Sequence, residues 1–79
     1  MELLPPNDPL APFVSVNPAK LGGTPVFKKT RVPIRILFEY LEGGYSLDEF
    51  LDHFEGVTRD QAVAVLNIAA QRAIPKRAA

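Results

Sequence analysis

Six side chains in this 79-residue sequence have the chemistry to meet nucleic acid: Lys28, Lys29, Arg31 and Arg35 in one short stretch, then Arg59 and Asn67 further on. Ammonium and guanidinium groups neutralise phosphates, and Arg or Asn can hydrogen-bond base edges. A solvated surface accounts for the four clustered cations equally well. The other candidates are weaker. His53, the single histidine, has Glu49 one helical turn before it and Asp52 beside it, a two-ligand metal spacing that a solvated helix face explains better. Ser46 has no evident base near it and reads as a helix cap before it reads as a nucleophile. The acids between Glu39 and Asp60 fall on helix surfaces without a pocket signature. Gly22-Gly23 could cradle a phosphate through backbone amides, but nothing around it resembles a P-loop, and a turn is the simpler reading. The residues therefore predict no catalytic constellation, no cofactor and no metal site.

Charge is segregated although the net charge is zero. Between Pro9 and Phe38 there are five cations and no acid; between Glu39 and Asp60 there are seven acids against Arg59 alone. Small domains are often patchy, so this alone decides little. The sharper reading is two differently charged faces that serve two partners. A duplex repels the acidic segment, which directs any phosphate contact to Lys28, Lys29, Arg31 and Arg35.

The elements that must position these residues follow from local rules. The stretch Leu21 to Ile34 organises the chain. Gly22-Gly23 marks a sharp reversal, Val26-Phe27 suits a short strand, and Lys28 to Thr30 reads as a polar turn. Pro33 keeps Val32 extended and starts a helix near Ile34. Phe13 to Val16 is a second short strand, expected to pair with Val26-Phe27. Ahead of it, residues 1–12 are rich in proline and leucine; they predict an extended arm lying on its own domain or on a second copy, or else a disordered segment.

Three helices are predicted. The first runs from about Ile34 to Glu42 and ends at Gly43-Gly44, with one glycine left-handed. Its polar stripe is Arg35, Glu39 and Glu42, and the rest of its surface is too apolar for a helix packed on one side only. Ser46 to Glu49 is a capping box, with Tyr45 and Phe50 placed to staple across it, and opens a helix over Leu47 to His53. Thr58 to Gln61 repeats that logic, with Val57 and Ala62 as staple, and opens a helix over Arg59 to Ala73 that stops before Pro75. Two short helices joined by a few residues have the spacing of a helix-turn-helix unit. In such a unit the later helix meets bases, yet here its acidic approach and apolar body argue against ordinary groove insertion. Residues 75–79 predict a short, frayed basic tail.

Length bounds the answer further. One domain of this size has a small core, 47% hydrophobic composition leaves apolar surface to spare, and the absence of cysteine removes disulfide staples. Oligomerisation is the remedy the sequence predicts. The lack of cysteine is compatible with a reducing cytoplasm. No basic start precedes the proline-broken first residues, as a signal peptide needs, and no apolar run approaches a membrane span.

From Asn17 to Ala69 the pattern Gly22-Gly23-x-Pro25-Val26, Thr30-Arg31-Val32-Pro33, Ile36-Leu37, Ser46-Leu47-x-Glu49 and Val57-Thr58 resembles the bacterial family DUF433, a domain of unknown function. The family usually has glycine before the Thr-Arg pair, where this chain has Lys29. Members are small helix-turn-helix-like proteins, often regarded as antitoxins encoded beside a toxin of the PIN-type ribonuclease kind. The resemblance implies an α+β, mainly α fold: a two-stranded element, then three helices in residues 13–74. It implies a cytoplasmic homodimer that binds a cognate toxin and, with it, operator DNA as an autorepressor, and not an enzyme. The alternative is a protein-interaction module or homodimeric scaffold without DNA binding.

Overall fold

A computed structural model describes residues 1–74 of the chain. It is an α+β arrangement, mainly α. Strands β1 (Val14–Ser15) and β2 (Val26–Phe27) pair antiparallel, with Val14 opposite Phe27 and Ser15 opposite Val26. Helices α1 (Ile34–Glu42), α2 (Leu47–His53) and α3 (Arg59–Ala73) follow, as the local signals predict. The basic tail lies outside the described residues.

The reversal between the strands is a left-handed run. Leu21 (φ 49°), Gly22 (φ 65°) and Gly23 (φ 90°) all take positive φ, so the turn begins one residue before the glycines. After β2 the chain turns back on itself. Phe27 N–H donates to the Val32 carbonyl and Ile34 N–H to the Pro25 carbonyl, which lays Val32-Pro33 along the outer side of β2. Pro33, with extended backbone angles, then stands as the N-cap of α1.

Each helix ends as its sequence dictates. Gly43 caps α1 and Gly44 carries the left-handed angle, φ 90°. Both capping boxes form in full, Ser46 with Glu49 and Thr58 with Gln61. Of the two staples, Val57 and Ala62 are both buried in the core. Tyr45 stays half-exposed and rests against Tyr40, at 5.2 Å between ring centres, while Tyr40 in turn meets Phe50 edge-on. Its staple thus reaches Phe50 through a neighbouring ring.

The core is small and centred on Phe27, Leu37 and Phe50, all fully buried, with Val14, Val57, Ala62 and Val65 around them. Phe27 and Phe50 hold the strands to α2, their rings 6.0 Å apart. Burying a side chain of this size stabilises by about 1.5–3 kcal/mol.

The arm lies on its own domain, but it is a chain of turns and not extended. Leu4 and Leu10 pack against the core. Asp8 N–H donates to the Pro5 carbonyl, Ala11 N–H to Asp8, and Phe13 N–H to Leu10. The physical reason is Asp8, whose carboxylate accepts the Leu10 N–H at 2.8 Å and curls the segment between its prolines. At its start the arm lies beside β1: Leu3 N–H donates to the Val16 carbonyl at 2.6 Å.

Candidate nucleic-acid interface

The turn after β2 carries the cations. Phe27 accepts from the Thr30 amide at 3.0 Å and from the Thr30 hydroxyl at 2.8 Å, and that hydroxyl accepts the Val32 N–H at 3.0 Å. Thr30 therefore closes the turn three times over. Lys29, the third residue of the turn, has φ 65°. A turn of this kind favours glycine at that position, which is what the family resemblance expects there. Lysine pays for positive φ with roughly 1 kcal/mol of strain.

This turn is docked on the start of α3. Gln61 performs two tasks with one amide. Its Oε1 accepts the Thr58 N–H at 2.9 Å, completing the capping box, and its Nε2 donates to the Lys28 carbonyl at 3.0 Å. The loop between α2 and α3 also passes close by, since a Cβ built on Gly56 would stand 3.6 Å from the Thr30 methyl. On the other side, Lys28 Nζ donates to the Ala11 carbonyl at 2.9 Å, so the turn is tied to the arm as well.

Of the six predicted side chains, the fold sets Lys28, Lys29 and Arg31 on one exposed turn against the end of α3 where Arg59 begins. Arg31 has no ion pair among the described residues; Glu39, a candidate partner for it, is bridged by Arg35 at 3.1 Å. Arg59 pairs with Asp48 across α2 and α3. Both pairs are largely solvent-exposed and are worth under about 1 kcal/mol, so either cation is cheaply released to a phosphate. Asn67 is exposed but lies eight residues along α3 from Arg59, about 12 Å away along the axis.

Other candidates find structural roles. His53 Nδ1 shares a 2.9 Å hydrogen bond with the Tyr40 hydroxyl at the edge of an aromatic cluster that includes Phe50 and Phe54. No group of three or more metal-ligating side chains is gathered among the described residues. Ser46 caps α2. No helix among the described residues is long and apolar enough to cross a membrane.

Two features escaped sequence reasoning. One is the second hydrogen bond of Gln61, which only the packed fold creates. The other is a clasp at Glu2. Its carboxylate accepts from the Ser15 hydroxyl at 2.6 Å and from the N–H groups of Val16 and Leu4 at 2.8 and 3.1 Å. These bonds, led by that from Ser15 and helped by the nearby charge of Lys28, hold the Glu2 pKa below its ordinary value. Asp8 is likewise lowered, first by the Leu10 N–H and then by Arg72, whose guanidinium lies 2.9 Å away.

A two-stranded antiparallel element followed by three helices, with a basic turn seated on the start of the last, defines a small α+β domain, mainly α. The chain belongs to the DUF433 family, described as a protein of unknown function, whose pattern matches residues 14–69. No curated protein matches it. No solved structure matches it either.

Proposed function

We propose that this chain is the antitoxin of a bacterial toxin–antitoxin pair: a cytoplasmic homodimer that binds operator DNA and a PIN-type ribonuclease toxin and, with that toxin, represses its own operon. The observation that carries the DNA half is the hydrogen bond from Gln61 to the Lys28 carbonyl, which unites the basic turn with the start of α3. α2 and α3, joined by the five residues from Phe54 to Thr58, act as the helix-turn-helix pair, and Lys28, Lys29 and Arg31 supply phosphate contacts beside it. The toxin half rests on the family resemblance alone. A protein-interaction module without DNA binding is the second reading, favoured by the acids Asp48 and Asp60 beside Arg59.

The test is binding to a duplex from the chain's own promoter across a range of salt. Each phosphate contact removed lowers the slope of log affinity against log salt by about 0.9. Lys28→Ala/Arg31→Ala is expected to weaken all duplexes alike and to flatten the slope by nearly two units, while the melting temperature falls only by the worth of the exposed bond from Lys28 Nζ to Ala11. If Arg59→Ala/Asn67→Ala abolishes binding while the first pair leaves it intact, the contact surface is α3 itself. Absence of any duplex binding at low salt overturns the DNA half and leaves the interaction module.

A further inference from the structure

An open groove of about 400 Å³ is lined by Leu10, Ile34 and Phe38 and by Ile68, Ala69 and Ala73 of α3. Its lining is apolar except for Arg72, and Arg72 is already paired with Asp8. The neighbouring charges of α1, Arg35 and Glu39, are paired too. Among the described residues, the charges that line or flank the groove are thus paired within the chain. Immediately beyond Ala73 stands Ile74, 69% exposed. Groove and apolar protrusion sit side by side at one end of one helix, which is the arrangement an isologous contact needs.

We propose that the groove seats a second copy of this chain: the C-terminal halves of two α3 helices run antiparallel across a two-fold axis near Ala69, and Ile74 of each copy fills the groove of the other. This names the interface of the proposed homodimer; it rests on that part of the reading and on neither DNA nor toxin. In its C-terminal half α3 places Asn67 and Gln71 on one side and the groove-lining Ile68, Ala69 and Ala73 away from them. A stable contact of this kind covers about 800 Å² per partner. The geometry also serves the DNA reading. Ten residues at 1.5 Å separate Arg59 from the axis, so the two Arg59 positions lie about 30 Å apart along the paired helices, near the 34–36 Å repeat of successive major grooves.

Light scattering at micromolar concentration is expected to give about twice the 8.7 kDa mass of the chain. The dimer is expected to persist in high salt, because its contact is apolar. Ala73→Glu puts a carboxylate in the groove at an exposed helical position and is expected to raise the dimer dissociation constant at least about tenfold. Ile74→Ser acts in the same direction. Gln71→Glu, exposed on the side of the helix turned away from Ala69 and outside the groove lining, is the control and stays dimeric. Circular dichroism confirms that each variant is folded. A folded monomeric wild type overturns the inference, and so does an Ala73→Glu variant that dimerises as tightly as the wild type. A dimer that loses its partner through Ala73→Glu yet never binds a duplex supports the inference and sinks only the DNA reading.

Discussion

At the scale of the residue, Lys29 is the clearest case of sequence and backbone in tension. Its φ of 65° suits glycine, and its side chain is exposed, so nothing packs there to offset the strain. Lys29→Gly is expected to stabilise the chain by about 0.5–1 kcal/mol, the relief of strain exceeding the extra freedom glycine gives the unfolded state. Urea midpoints of the two proteins check this, and a lower midpoint for the glycine variant defeats it. A lysine kept at that cost is consistent with a demand for charge on the turn. The position was legible in the sequence because the Thr-Arg-Val-Pro pattern fixed where the turn falls. Leu21 was not, since no motif announces that a left-handed run starts on a leucine before two glycines.

At the scale of the element, the helix boundaries were readable because capping is local. Ser46, Thr58, Gly43 and Gly44 act within one turn of themselves, and their neighbours in sequence are their partners in space. Gln61 shows where that legibility ends. The capping box uses its carbonyl oxygen, and a glutamate would serve as well. Its amide nitrogen reaches Lys28, 33 residues away in sequence, and only Gln can do both. Gln61→Glu is therefore expected to keep α3 capped but to set a carboxylate against the Lys28 carbonyl, costing about 1 kcal/mol. Thr58→Ala, which removes the cap and leaves the turn contact, is expected to cost a similar amount. The two separate by readout. Only Gln61→Glu should also speed hydrogen exchange in the Lys28–Thr30 turn, and equal exchange in both variants would refute the link.

At the scale of the whole molecule, the arm is what the sequence described least well. Its prolines and leucines announced that it would cover apolar surface, but the charges that fasten it, Glu2 to β1 and Asp8 to Arg72, are single residues with no periodic signal. Both carboxyls ionise more readily in the folded chain than in the unfolded one, so their stabilisation is complete above the ordinary carboxylate range. It is lost as pH falls through their lowered folded values. The protection factors of the Leu3 and Val16 amides, taken against intrinsic exchange at each pH, are expected to fall on acidification below about pH 4 while that of Phe50 holds. Uniform loss of protection would show that the arm does not open separately. The clasp at Glu2 bears on how the protein behaves when crowded. A two-stranded sheet exposes two unpaired edges, each a template for strands of other molecules. Here Leu3 lies along the open side of β1, and Val32-Pro33 along that of β2, where proline lacks the amide that a recruited strand would need. With the arm fastened, neither edge can seed a growing ribbon. Acid that unfastens it uncovers β1 first, so the same protonation that loosens residues 1–12 also sets the onset of aggregation.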